Sequence, residues 1–269
     1  MARSTPRVDP VANEPAATVE VDGERLLLIA DYHAGIEAGL RYERGVELSS
    51  NAAVRRDRLC ELLDRTHADR LVVLGDLAHR IGAPRGVERE ELDAFYDAVV
   101  TDRDVAITLA PGNHDGEIES VFAERDAIEI LPPAGGVLGD PTSGVGVLHG
   151  HARPTAAVVS AGTICMGHEH PQVSLTDSVG GSRTEKAWLR GRLDPAVLVD
   201  GDSDGDRAVD GLAADPPAEL VVFPAFNDRS GGTRINAGQG FLSPLLPDFL
   251  VAGECYLLDG TRLGPYQQV

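Results

Sequence analysis

Leu26-Leu27-Leu28-Ile29-Ala30-Asp31-Tyr32-His33 is the stretch on which the fold turns. Five apolar residues in a row, without polar alternation, fit a strand covered on both faces, the habit of parallel sheets inside a domain. Leu71-Val72-Val73-Leu74 and Val105-Ala106-Ile107-Thr108-Leu109 repeat the form. Two helical patterns separate the three runs. Residues 49–66 carry Val54, Leu59, Leu62 and Leu63 at helical spacing, with Ser49 or Ser50 as the cap. Residues 88–100 carry Leu92, Phe95, Tyr96 and Val99. Strand, helix, strand, helix, strand implies right-handed crossovers and a largely parallel sheet, an α/β fold whose ligands gather beyond the carboxyl ends of the strands.

The later part of the chain is richer in strands, expected at 144–148, 163–166, 172–175, 184–193, 219–223 and 254–258, with one helix at 154–160. Residues 1–17, holding Pro6, Pro10 and Pro15 and few large apolar side chains, read as a disordered lead-in. Residues 18–269 read as one domain, interrupted at about 200–217 by a loop dense in Asp, Gly and Ala. No internal repeat is visible.

Metal-binding residue types follow five of the apolar runs: Asp31-Tyr32-His33, Gly75-Asp76, Gly112-Asn113-His114-Asp115, His149-Gly150-His151 and Gly167-His168-Glu169-His170. Any one of them is a common loop, but five in order at strand ends converge on one place. Asp31 and His33, one residue apart in extended backbone, point to the same side and form a pincer. Asp76 can bridge two ions, and Gly75 lets the backbone pass close by. Pro111 and Gly112 force a turn that delivers Asn113 as an amide-oxygen ligand and His114 towards substrate. His114 is then the group that protonates a leaving oxygen, with Asp115 as the partner that sets its tautomer and raises its pKa. His149, His168 and His170 complete the ligands. His151 is an alternative to His149, and His79 and His151 otherwise stand behind the ligands or face substrate. His67 belongs to a helix-to-strand connection at the surface. A mixture of carboxylate, imidazole and amide suits Mn foremost, with Fe, Zn or Ni as alternatives. Two such ions roughly 3.5–4 Å apart serve phosphoester hydrolysis, by generating a nucleophilic oxygen and neutralising phosphoryl charge.

Composition narrows the setting. The 269 residues hold 24 basic and 43 acidic side chains, a net charge of −19, and Lys186 is the single lysine. Such a surface resembles those of halophilic proteins, whose carboxylates stay hydrated while molar salt shortens the Debye length to about 3 Å. No basic stripe is visible, which weighs against tight duplex binding. Cys60, Cys165 and Cys255 lie far apart, as reduced core thiols in a cytoplasmic protein do. The start of the chain lacks an apolar signal core, and no uncharged stretch is long enough to span a bilayer.

The ordered blocks D-x-H, GD, GNH[DE], H and GHxH resemble the calcineurin-like metallophosphoesterase superfamily across residues 29–170. The resemblance implies a four-layer αββα sandwich of two mixed sheets, with a dinuclear site in the loops at one end. It implies that Asp31, His33, Asp76 and His170 hold one metal and Asp76, Asn113, His149 and His168 the other, with a bridging hydroxide attacking phosphorus. Asp31 to Glu37, Arg41 to Val46, Gly75 to His79 and His168 to Pro171 are similar to archaeal SbcD-related and bacterial DNA-ligase-associated phosphoesterases. So are Phe223 to Asn227, Gly231-Gly232 and Leu242 to Pro244. Tyr32, where relatives often carry Leu or Met, and the acidic insertion depart from that pattern. Compared with full SbcD nucleases, the chain has no long C-terminal DNA-binding extension.

The expected function is a metal-dependent phosphodiesterase. Alternatives are a nuclease working with DNA-repair proteins, a monoesterase or pyrophosphohydrolase, and a silent scaffold of the same fold. Residues 224–236 either line the cleft or are plain loop, Trp188 packs in the sheet, and oligomeric state is open.

Overall fold

The computed structural model describes residues 6–141, 143–177, 179–193, 219–238 and 240–269. The expected acidic insertion at about 200–217 lies outside the described residues.

The first sheet is built from β1 (Asp9–Pro10), β2 (Ala16–Val21), β3 (Glu24–Ile29), β4 (Arg70–Val73), β5 (Ala106–Leu109) and β6 (Ile128–Ile130), in that spatial order. β1, β2 and β3 pair antiparallel, while β3 to β6 run parallel. The second sheet holds β7 (Gly136–Leu138), β8 (Val145–Leu148), β9 (Thr163–Met166), β10 (Gln172–Thr176), β11 (Ser182–Leu193), β12 (Glu219–Val222), β13 (Leu250–Leu257) and β14 (Arg262–Pro265). Its order is β14-β13-β11-β12-β9-β8-β7, with β10 paired to β11; β8, β9 and β12 are parallel. The helices are α1 (Ile36–Arg44), α2 (Ala52–Thr66), α3 (Val87–Tyr96), α4 (Glu119–Phe122) and α5 (Ala156–Val159). A π-helical turn at Asp97–Thr101 extends α3 to the end expected for that helix.

Continuous apolar strands are needed because each central strand buries both faces. Leu27 and Ile29 of β3 join Leu71, Val73, Ile107 and Leu109 beneath α2 and α3. Leu26, Leu28 and Ala30 point the other way and meet Val145, Val147, Cys165 and Val221 of the second sheet. Trp188 packs there edge-on against Phe223, ring centroids 4.8 Å apart, as the sheet residue it was expected to be. The outer face of the second sheet is covered by the single turn of α5 and by Leu245, Leu246 and Phe249. The result is the two-sheet α/β sandwich with helices outside.

Three expectations need correction. From residue 6 the lead-in is packed rather than disordered: β1 pairs with β2, and Val8, Ala16 and Ala17 are fully buried. Small side chains made this segment look poor in core residues, yet Val8 and Ala17 fit between the two sheets and Ala16 fits beneath the helices. Val54 faces solvent, because α2 buries Leu59, Leu62 and Leu63 on a stripe that excludes it. The N-cap of α2 is Asn51, although the Ser50 hydroxyl accepts the Ala52 N–H at 3.2 Å. Cys60, Cys165 and Cys255 are free and buried, and no helix among the described residues is long and apolar enough to cross a membrane.

Candidate metal centre

The parallel strands β3, β4, β5, β8 and β9 all end at the same side of the sandwich, and their trailing loops carry the expected residues. Asp31 and His33 do not converge by extended backbone, as the spacing implied. Their φ angles are 57° and 50°, and Asp76, His168 and His170 share the left-handed region at 49°, 70° and 44°. Five non-glycine residues in that region, each costing on the order of 1 kcal/mol or more, mark a site whose geometry the fold enforces. Gly75 (φ 81°) and Gly112 carry no side chain for a packing reason: a Cβ on the first would strike the His149 ring, and one on the second the Asp76 carboxylate.

Asp76 is the hub. Its Oδ2 lies 3.5 Å from His149 Nε2, 3.8 Å from His33 Nε2 and 3.9 Å from His114 Nε2, while Oδ1 accepts the His114 N–H at 3.0 Å. Asp31 Oδ1 is 2.9 Å from His170 Nε2, yet neither Asp31 oxygen has a directed hydrogen bond although the residue is fully buried. Buried carboxylate oxygens without donors are costly, and cations are what such oxygens hold. Three sets of potential ligand atoms lie within 4.8 Å of one another: Asp31, His33 and His170; Asp31, Asp76 and His149; and His33, His79 and His114. His168 Nδ1 is 3.1 Å from His149 Nε2, close to the roughly 3 Å between neighbouring nitrogen ligands of one ion bound at about 2.1 Å.

Backbone carbonyls orient the rings. His149 Nδ1–H donates to Leu74 O at 2.8 Å, His170 Nδ1–H to Gly231 O at 2.7 Å, and His114 Nδ1–H to the His79 carbonyl. Each leaves Nε2 aimed at the carboxylates, as backing hydrogen bonds do for metal-binding imidazoles. His79 stacks on His114, centroids 5.6 Å apart, and its buried Nδ1 has no partner. His151 lies behind His149, ring centroids 5.4 Å apart. Asn113 sits exposed on the turn before His114, and His67 is exposed beyond α2, as expected.

Asp115 takes a different part from the one expected. Its buried carboxylate accepts N–H groups from Gly112 (2.9 Å), Ala78 (2.9 Å) and Leu77 (3.3 Å), so it ties the Asp76 loop to the His114 loop. The His79 carbonyl, not Asp115, holds the His114 imidazole. Consecutive residues in this turn point in opposite directions, which sequence adjacency conceals.

Several supporting residues escaped the sequence reading. Fully buried Glu169 accepts from Thr233 Oγ1 (2.9 Å), Ser243 N (2.6 Å) and Leu242 N (3.2 Å), fastening the C-terminal loops beneath His168 and His170. Asn227 Nδ2 donates to Tyr32 O at 2.8 Å and holds the Asp31 loop in place. Lys186 donates to Ala225 O, Asn227 O and Asp228 Oδ1 at 2.7, 3.1 and 2.7 Å. Residues 224–236 thus position the ligand loops.

Burial drives His33 down to about 3 against the pull of Asp76 and Asp31, and burial beside charged His149 takes His168 to about 4. Burial also pulls on His149, but Asp76, then Asp31 and the Leu74 carbonyl outweigh it and hold that imidazole up at about 9. Burial and neighbouring Asp76 push Asp115 up to about 6. At pH 7 His33 and His168 offer free lone pairs, whereas His149 carries a proton that a metal must displace. The His149 pKa is raised, so its ion pair stabilises the metal-free fold fully below about pH 6.5, and that contribution is lost as pH rises through 9. Metal uptake at pH 7.5 is therefore expected to release about one proton, from His149, with release fading as pH rises through about 9. Calorimetry in buffers of different ionisation enthalpy measures this; a binding enthalpy independent of buffer would contradict it.

A sandwich that ends in buried carboxylates and inward-facing imidazoles is that of a metal-dependent phosphoester hydrolase. The chain belongs to the family described as calcineurin-like phosphoesterase, whose model matches residues 24–223. Its fold is similar to that of the Pseudomonas putida nuclease MPE, with a TM-score of 0.54 at 18% identity over 96% of this chain and 100% of that one. Yfce, a phosphoesterase from E. coli, aligns over 89% of this chain and 97% of its own at 15% identity, with a TM-score of 0.41. The chain matches none of the curated proteins.

Proposed function

We propose that the chain is a phosphodiesterase working with two divalent ions, held by Asp31, His33, Asp76 and His170 on one side and by Asp76, Asn113, His149 and His168 on the other. The observation that carries this reading is the pairing of donor-free oxygens on Asp31 with imidazoles presenting Nε2 around Asp76. When bound, the ions supply a nucleophilic oxygen and neutralise phosphoryl charge. The protein's own part is orientation and proton handling. His114 is partly exposed, with Nδ1–H anchored on the His79 carbonyl and Nε2 turned inward, so Nε2 is the atom that hands a proton to the leaving oxygen. Asp115 and Glu169 keep the loops from spreading.

The tail motifs support placing the chain with SbcD-related and DNA-ligase-associated enzymes, and the three buried free thiols suit a cytoplasmic setting. A silent scaffold is disfavoured by retention of every ligand and of His114. Mn is the expected metal, with Fe, Zn and Ni as alternatives. A panel of cyclic nucleotides, single- and double-stranded DNA, a synthetic diester and a synthetic monoester tests the reading. With Mn, the diesters should turn over at least about tenfold faster than the monoester. Faster monoester turnover would reverse the specificity, and a metal-loaded chain inert on all of them would favour the scaffold.

A further inference from the structure

Helix α3 buries two acids that are treated differently. Glu91 has a cation, the Arg55 guanidinium, at 2.6 Å. Glu88, one turn earlier and only 2% exposed, has no ion pair among the described residues. It heads the buried stripe that continues through Leu92, Phe95 and Val99, so the packing of α3 against the first sheet draws it inward. Gly35 makes room for it: a Cβ there would come within 2.6 Å of the Glu88 Cβ. A buried carboxylate without a cation is costly, even at a helix N-terminus where the dipole lessens the cost. What it holds is backbone: Oε1 accepts the N–H of His79 and the N–H of Arg80, each at 2.8 Å, while Oε2 is buried without a partner.

The Arg80 N–H and the His79 carbonyl are opposite ends of one planar peptide group. Glu88 grips the first, and the second accepts the His114 Nδ1–H. The contacts therefore run from Glu88 Oε1 through the peptide to His114 Nδ1, with His114 Nε2 on the far side of the ring, 3.9 Å from Asp76 Oδ2. Two consecutive N–H groups on one oxygen stop the peptide plane from turning, and so fix the direction in which the His79 carbonyl points. Bonds to an ionised acceptor are roughly twice as strong as neutral ones, and hydrogen bonds in a chain polarise one another. Asp115, whose carboxylate closes the N–H groups of Gly112, Ala78 and Leu77, takes no part in this chain.

We infer that Glu88 is the positioning residue of the proton donor: through the His79–Arg80 peptide it holds the His114 ring with Nε2 towards the leaving oxygen. Naming the leaving oxygen as the target rests on the phosphodiesterase reading; the hold on the ring does not. Glutamine can keep an oxygen at the Oε1 position and place its amide nitrogen where Oε2 has no partner, so Glu88→Gln preserves the grip with weaker bonds. Glu88→Ala removes it.

The test compares two diesters on the Mn-loaded full chain, one expelling p-nitrophenolate, which departs without a proton, and one expelling an alkoxide, which needs one. Glu88→Ala should lower kcat on the alkoxide diester at least about tenfold, within the roughly 10²- to 10⁴-fold that a proton donor contributes, with KM little changed. The p-nitrophenyl diester should lose much less, and Glu88→Gln should fall between wild type and Glu88→Ala. In a His114→Ala background, Glu88→Ala should cost less than about twofold more, the non-additivity of two residues that act as one. Equal losses on the two diesters, an undiminished loss without His114, or loss of the Mn-induced rise in Tm would make Glu88 a support of the loop and overturn the inference. Should Glu88→Ala not fold, Glu88→Gln carries the same comparisons with smaller losses. A second readout needs no turnover: in the Zn-loaded, diamagnetic chain with the ring neutral, long-range proton–nitrogen correlation NMR reports which nitrogen of His114 bears the proton. Nδ1 should bear it in the wild type and lose that preference in Glu88→Ala; an unchanged tautomer overturns the inference. A Glu88-dependent tautomer in a chain inert on both diesters counts against the phosphodiesterase reading and leaves the hold on the ring standing.

Discussion

Asp76→Asn is expected to lower diester turnover by at least about 10³-fold and to abolish the thermal stabilisation conferred by Mn, while leaving the chain folded. The geometry separates these effects. Asparagine keeps the volume of the side chain and an oxygen that can accept the His114 N–H, now bonded to Oδ1 at 3.0 Å. The loop therefore holds. What disappears is the negative charge that His33, His114 and His149 approach within 4 Å and that two cations would share. Losing about 4 kcal/mol of the several that metal ions supply corresponds to three decades in rate. At about 100 times its Kd, a metal adds about 2.7 kcal/mol to stability, which for a chain of this size raises Tm by about 5–10 °C. Wild type should show that rise under scanning calorimetry and the variant almost none. An Asp76→Asn protein that stays active without bound metal would refute the dinuclear reading.

Much of this site is legible in the sequence because the fold solves burial and ligand placement with the same feature. A parallel strand covered on both faces must be apolar throughout, so the first polar residues after Ala30, Leu74, Leu148 and Met166 stand out as the exit into the site. Other features leave no local trace. The left-handed φ angles of Asp31, His33, Asp76, His168 and His170 run against residue preference and are imposed by surrounding contacts. Glu169 looks like a spacer between two histidines, since its partners Thr233 and Ser243 lie 64 and 74 residues away. Residues 1–17 read as disordered because proline and alanine outnumber large apolar side chains, yet Val8, Ala16 and Ala17 find complete burial.

Asp115 offers the sharpest contrast between adjacency and geometry, and its substitution is expected to act on stability first. Its carboxylate closes three backbone N–H groups, from Gly112, Leu77 and Ala78, in a fully protected spot. Leucine, similar in size, would leave all three without an acceptor, at about 1–3 kcal/mol for each unsatisfied donor. After local relaxation a net loss of about 3–5 kcal/mol is expected for Asp115→Leu, a large share of the roughly 5–15 kcal/mol that holds a domain together. Asp115→Asn keeps one acceptor oxygen but turns an amide N–H₂ towards backbone donors, and should lose about 1–3 kcal/mol. Urea denaturation of the metal-stripped proteins measures both. His114→Ala is the control: that side chain is partly exposed and closes no set of buried backbone donors, so stability should change far less while turnover falls by about 10²- to 10⁴-fold, the usual worth of a positioned proton donor. Were Asp115 the partner of His114, Asp115→Asn would shift the pH profile of turnover at unchanged stability. Because the His79 carbonyl holds that imidazole, the profile should keep its shape and the stability should drop.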